Sequence, residues 1–200
     1  MGRKWYTADW RIGEESRPNT HSFLRPRPTV VMVQEWIADC YEKIGPDDEL
    51  IMLGDMVITL DDLVILTKLP KCKLVTLVLG DKEKALGWDN LVDTCFELGI
   101  IDFFIETSAS RVNDRVFYFA HEPTVCIDGA GDRPDICGHV HGIWRTARMP
   151  NGQPIINVGI DAWGGLVSEE MIAHQYDCVT KGYYDINCFP QDWGAVKATD

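Results

Sequence analysis

Apolar positions along the first hundred residues follow two alternating periods. Residues 4–8 are a short aromatic run of strand length. Residues 12–28 are rich in Pro, Arg, Glu and Asn and read as loop. Thr29 then precedes Val33, Trp36, Ile37, Cys40, Tyr41 and Ile44. Their three- and four-residue spacing predicts an amphipathic helix, which Gly45-Pro46 stops. Residues 49–53 predict a buried strand ending in Gly54-Asp55. Thr59 and Asp62 have capping-box spacing and predict a short helix to Leu69, ended by Pro70. Residues 73–79 repeat the strand pattern and end in Gly80-Asp81. Residues 88–98 predict a helix with Leu91, Val92, Cys95, Phe96 and Leu98 as its apolar face and Gly99 as its stop. This alternation predicts parallel strands joined by right-handed crossovers.

The second half has a different rhythm. Residues 100–107, 115–120, 136–137 and 155–158 predict short strands, with Asn113-Asp114 as a hairpin turn between the first two. A helix follows Ser168, and the aromatic, turn-rich stretch after Tyr183 carries no assignable element. The expectation is a layered α/β fold whose second half is mainly a β-meander. No linker interrupts the pattern, so residues 1–200 read as a single domain with a C-terminal tail from residue 171.

Composition narrows the class. The chain is 46% hydrophobic and 25% charged, which is ordinary for a globular protein with a core. Its longest apolar runs, residues 30–33 and 74–79, are far too short to span a membrane. A net charge of −12 provides no electrostatic footprint for long nucleic acid or anionic lipid. Arg17, Arg25 and Arg27 in the early loop read as solvated. The seven cysteines contain no Cys-x-x-Cys pair and lie in or beside apolar segments. They read as small buried hydrophobes in a reducing compartment. The opening residues resemble neither a signal sequence nor a myristoylation site, since Tyr6 stands where Ser or Thr is needed. The expected location is cytoplasmic.

The candidate chemistry lies at the ends of the predicted strands. Asp9, Asp55 and Asp81 each end a strand. His121 ends another, and His139 and His141 follow Cys137-Gly138. Alone, a Gly-Asp is a turn or cap, a His-x-His is surface, and a single histidine is a satisfied core residue. Six such side chains at strand ends, where α/β sheets bind ligands, instead predict a metal site. Oxygen and imidazole donors without thiolate suit Mn²⁺, Fe or Zn²⁺. His21 and His174 read as solvated.

These residues resemble the calcineurin-like metallophosphoesterases, whose pattern is D-x-H, G-D, G-N-H-D/E, H and G-H-x-H. Here the order is Asp9-x-Arg11, Gly54-Asp55, Gly80-Asp81-Lys82-Glu83, His121 and Gly138-His139-Val140-His141. Arg25-Pro26-Arg27-Pro28, Gly45-Pro46-Asp47-Asp48 and residues 157–163 further resemble the small prokaryotic and phage branch. The likeness covers about residues 4–170. It implies a four-layer α/β fold: a two-sheet β-sandwich flanked by helices, with metals at one edge.

The resemblance implies two metal positions. One would use Asp9, the D-x-H histidine, the bridging Asp55 and His141. Arg11 stands at that histidine position, and a guanidinium cannot ligate. The other position, from Asp55, Asp81, His121 and His139, is complete, with Asp81 replacing asparagine. Lys82 stands where the family has a phosphate-contacting histidine.

The expected function is divalent-metal-dependent hydrolysis of small phosphodiesters, with 2′,3′-cyclic nucleotides implied by the resemblance. Arg11, Lys82 and His141 are the expected catalytic residues, and Arg11 and Lys82 the substrate-binding cations. Asp9 and His141 are expected either to hold a weak second ion or to orient Arg11, whose charge would replace much of that ion's. Mn²⁺ is the first expectation, with Fe, Zn²⁺ and Ni²⁺ open. The alternative is a weak or inactive relative that binds a protein partner. The sequence leaves a homo-oligomer undecided; Trp144 and Trp163 are taken as core.

Overall fold

The computed structural model describes residues 2–14, 28–125, 127, 133–149 and 151–187. His21, Arg17, Arg25, Arg27, Cys126, Cys188 and most of the early loop lie outside the described residues.

The first half forms a sheet of order β10-β1-β2-β3-β4. Its strands β1 (Lys4–Thr7), β2 (Glu49–Met52), β3 (Leu74–Val78) and β4 (Phe103–Ile105) run parallel, as the alternation predicts. The short β10 (Val167–Ser168) pairs antiparallel with β1. Alternate residues of β2 face opposite ways. Leu50 and Met52 join α1 (Val30–Lys43) and α3 (Trp88–Leu98) in the outer core, while Ile51 faces the second sheet. Burial on both faces is why these strands read as continuous apolar runs. Thr29 caps α1 by accepting the Met32 N–H at 3.2 Å.

The second sheet has order β11-β8-β9-β7-β6-β5. It contains β5 (Thr107–Val112), β6 (Arg115–Ala120), β7 (Ile136–Cys137), β8 (Thr146–Arg148), β9 (Pro154–Asn157) and β11 (Ile186–Asn187). The predicted meander is not what forms. Only β5–β6 and β8–β9 are antiparallel; β6–β7, β7–β9 and β8–β11 are parallel. The Asn113-Asp114 turn does join a hairpin, but its first strand is β5, whereas β4 belongs to the other sheet. Tyr6, Val78, Phe117, Phe119, Ile136 and Ile156 meet between the sheets, and α5 (Glu169–Thr180) adds Ile172. The result is two mixed sheets with helices packed against them. No helix among the described residues is long and apolar enough to cross a membrane.

Four local expectations change. Residues 61–68 form a 3₁₀ helix that starts after Leu60 without a side-chain cap there, although Asp62 does accept the Thr59 N–H and hydroxyl. Phe96 is no part of the buried face of α3: it is 84% exposed, and Leu91 and Cys95 make that face. Ile12, expected in the loop, is buried and bridged to Val57. His174, expected after the last helix, lies within α5, but it is exposed as expected, its Nε2 3.6 Å from Cys178 Sγ. Trp144 is buried, as expected. Of the described cysteines, Cys40, Cys95 and Cys137 are buried and Cys72 and Cys178 half-buried. Burial pushes the Cys40 and Cys95 thiols up to about 12, so they stay protonated and act as small hydrophobes.

Candidate metal centre

Parallel strands bring their carboxyl ends to one edge. β1, β2 and β3 deliver Asp9, Asp55 and Asp81, and β6 and β7 deliver His121 and the 139–141 loop. The loops interlock through backbone bonds, with Asp9 N–H to Gly54 O at 3.0 Å, Arg11 N–H to Asp55 O at 2.9 Å and Gly138 N–H to His121 O at 2.9 Å. Asp9 joins the two halves by accepting the His139 N–H at 2.9 Å. The approach demands glycine. A Cβ on Gly54, which has φ +76°, would stand 2.6 Å from Gly80 N, and one on Gly138 would stand 2.6 Å from the Ala8 Cβ.

The backbone is strained at this edge. Six described non-glycine residues have positive φ: Asp9, Arg11, Asp55, Asn113, His139 and His141. Five of these six are candidate site residues, and Asn113 is the hairpin turn. Such strain persists only where surrounding structure enforces it, and it concentrates at functional sites.

Two histidine rings and two carboxylates converge. His121 Nε2 is 3.5 Å from Asp55 Oδ1 and 3.4 Å from His139 Nδ1, which is 3.6 Å from Asp81 Oδ2. His121 Nδ1 is 2.6 Å from the Leu53 carbonyl and donates to it, so the Nε2 lone pair faces the cluster. Donors about 2.1 Å from a shared ion in tetrahedral array stand about 3.4 Å apart. Asp81, His121 and His139 have donor atoms within 4.8 Å of one another at spacings close to that geometry, and so could hold a divalent ion, while Asp55 adjoins this group through His121. Asp9, Asp55 and His121 form an overlapping group whose donor atoms lie within 4.8 Å of one another. Burial holds the His121 imidazole below its ordinary pKa, opposed by the Asp55 charge, so it stays neutral and able to ligate.

Arg11 and His141 take a different arrangement. Arg11 Nη1 lies 3.2 Å from His141 Nε2 and 3.3 Å from Glu14 Oε1, and its Nε is 3.6 Å from Asp55 Oδ2. Lys82 reaches the site through its backbone, donating its N–H to Asp55 Oδ1 at 2.9 Å.

Sequence reasoning assigned no role to several supporting residues. Glu83 is 1% exposed and accepts the N–H groups of Asp55, Met56 and Gly80 at 2.7, 2.7 and 3.0 Å. Burial raises its pKa, and the N–H donors pull it back. Its signal was the Gly80-x-x-Glu83 spacing, the glutamate position of a capping box. Asn157 donates to the His141 and Trp144 carbonyls and accepts the Gly159 N–H. Asp161 Oδ2 lies 3.3 Å from His141 Nδ1. Both lie in the 157–163 stretch that carries part of the family resemblance, but nothing there pointed to these contacts.

No family model and no curated protein sequence matches the chain. The structure is similar to the crystal structure of a protein of unknown function from Aquifex aeolicus. The TM-score is 0.58 and the identity 17%, over 88% of this chain and 100% of that one. That likeness shows a shared fold. An archaeal phosphodiesterase overlaps at TM-score 0.46 and 13% identity, over 80% of this chain and 86% of its own. The phosphopantetheinyl hydrolase of Mycobacterium tuberculosis overlaps at 0.35 and 19%, over 66% and 47%. Both scores fall below the level at which a shared fold follows.

Proposed function

We propose that the protein is a divalent-metal-dependent phosphoesterase of the metallophosphoesterase type, acting on small phosphodiesters in the cytoplasm. The observation that carries this reading is the clustering of the Asp81, His121 and His139 donor atoms within 4.8 Å of one another, with Asp55 Oδ1 3.5 Å from His121 Nε2. The order of the sequence motifs supports it. Carboxylate and imidazole donors accommodate Mn²⁺, the first choice, as well as Fe²⁺, Zn²⁺ and Ni²⁺. When bound, the ion would supply Lewis acidity toward a phosphoryl oxygen and acidify a water ligand.

The chain's own residues supply the rest. His121 holds its Nε2 forward through the Leu53 bond. Arg11 and Lys82 stand at the positions of the family histidines and contribute fixed positive charge toward phosphate. Lys82 binds phosphate as a point charge on a side chain whose backbone is anchored to Asp55. A diester carries one negative charge and suits this cation set better than a dianionic monoester. Nothing in these residues selects a nucleobase, so 2′,3′-cyclic nucleotides are one member of the proposed class.

The test is hydrolysis of bis(p-nitrophenyl) phosphate with Mn²⁺ and with chelator, using Asp55→Asn as control. Metal-dependent turnover abolished by that change is expected. One observation favours a second reading, a binding scaffold: the guanidinium beside Asp55 and His141. No turnover above the Asp55→Asn background with Mn²⁺, Fe²⁺, Zn²⁺ or Ni²⁺ would select it.

A further inference from the structure

The two buried faces of the site set their histidines in opposite senses. His121 gives its Nδ1 proton to Leu53 O and leaves Nε2 open toward Asp55 and His139. His141 has its Nε2 filled by Arg11 Nη1 at 3.2 Å. A guanidinium has only donors, so His141 Nε2 is the acceptor. The ring proton then sits on Nδ1, whose nearby carboxylate oxygens are Asp161 Oδ2 at 3.3 Å, with no hydrogen bond formed between them, and Asp9 Oδ1 at 3.8 Å. Each ring nitrogen has one lone pair. A lone pair committed to a guanidinium N–H is not offered to an ion.

Charge and position agree with this. The Arg11 side chain is 16% exposed and bears on three groups, His141, Glu14 and Asp55. Its Nε lies 3.6 Å from the Asp55 oxygen opposite the one that faces His121. A second divalent ion sharing Asp55 would therefore meet a fixed positive charge at that oxygen. The Arg11 backbone holds φ 47°, an unfavourable conformation for arginine, and its N–H is bonded to Asp55 O. Random loss of a ligand does not by itself yield a side chain held on both sides by carboxylate and imidazole partners.

We infer that the centre is mononuclear: Arg11 is a tethered cation in place of a second ion, and His141 and Asp161 are positioning residues for it rather than metal ligands. The inference rests on the proposed metal centre at Asp55, Asp81, His121 and His139 and refines its stoichiometry.

The test is ion counting without substrate. Chelator-treated protein is titrated with Mn²⁺ by calorimetry, and bound ion is measured by elemental analysis. Wild type is expected to take one ion per chain. His141→Ala is expected to keep one ion, with affinity reduced by no more than about 100-fold, the range for a residue outside the ligand set. His139→Ala is expected to lose it. Arg11→His is expected to admit a second ion and to give the electron paramagnetic resonance signature of a coupled Mn²⁺ pair. Thermal melts check that each variant folds. If Arg11→His does not fold, wild type and His141→Ala still decide.

Ring ¹⁵N chemical shifts give a second readout. They should place the His141 proton on Nδ1 in wild type and shift toward Nε2 in Arg11→Met. Two ions in wild type, or loss of the ion in His141→Ala, overturns the inference. A His141 proton found on Nε2 does the same. One ion bound with no diester turnover would sink the proposed activity and leave the inference standing. Two ions bound with turnover would do the reverse, and no ion uptake by wild type would overturn both.

Discussion

The buried Glu83 carboxylate accepts the backbone N–H of Asp55 at 2.7 Å, so a residue on α2 (Asp81–Leu86) fixes the loop that presents a metal-competent aspartate on the neighbouring strand. The same side chain takes the N–H groups of Met56 and Gly80. It thus joins two of the strand-end loops through one carboxylate. Glu83→Ala would leave three buried donors without that acceptor and open a cavity. The expected cost is about 3–5 kcal/mol, or a fall of about 10 °C in Tm. Glu83→Gln keeps an oxygen acceptor and should cost about half as much. Thermal denaturation checks both; a loss under about 1 kcal/mol in the alanine variant would remove Glu83 as the organiser.

His121 makes stability depend on pH. Burial lowers its pKa below the ordinary 6.5, so the folded state binds its proton more weakly than the unfolded state does. Stability from this group is present above about pH 6.5 and is lost as pH falls toward the folded-state pKa. His121→Asn keeps an N–H that can reach Leu53 O but does not titrate. Metal-free wild type should lose stability between about pH 6.5 and 5 more steeply than metal-free His121→Asn. Equilibrium urea unfolding across that range measures the difference, and parallel pH profiles would refute the assignment.

Much of this site was legible because its residues lie next to sharp chain reversals. Gly54-Asp55, Gly80-Asp81 and Gly138-His139 pair a glycine with a polar residue at the end of an apolar run, and both period and turn chemistry are local. What was not legible is what depends on distant packing. Periodicity carries no strand order, so the parallel pairing of β7 with β6 and β9 could not be read, and strands as short as β8, β10 and β11 leave no period. Phe96 follows helical spacing, but the side of the helix it takes turns toward solvent. Asp161 is twenty residues from His141 in sequence. Only the fold, through α4 (Ile160–Trp163), brings them together.

The two faces of α3 differ enough to test by truncation. Leu91 is 1% exposed within the outer core, whereas Phe96 is largely in solvent. Leu91→Ala should cost about 2–5 kcal/mol through lost burial and a cavity. Phe96→Ala should cost under about 0.5 kcal/mol, as for exposed positions generally. Chemical denaturation of the pair decides. Equal losses would mean that Phe96 is covered in solution.

Asn157 gives the last expectation, because its three bonds have fixed polarity. Its amide donates to the His141 carbonyl at 2.6 Å and the Trp144 carbonyl at 2.7 Å, and its oxygen accepts the Gly159 N–H at 2.8 Å. The side chain is fully buried. An aspartate of the same shape keeps the Gly159 bond but sets a second oxygen against two carbonyls. It must bury either an unfavourable charge or a proton that can serve only one of them. Asn157→Asp should therefore cost more than Asn157→Ala, about 4 kcal/mol against about 3. Its deficit should also shrink as the pH falls, since protonation restores one donor. Unfolding free energies at pH 5 and pH 8 test the sign. An Asn157→Asp variant that is more stable than Asn157→Ala at pH 8 would mean that the amide does not hold the His141 loop through these carbonyls.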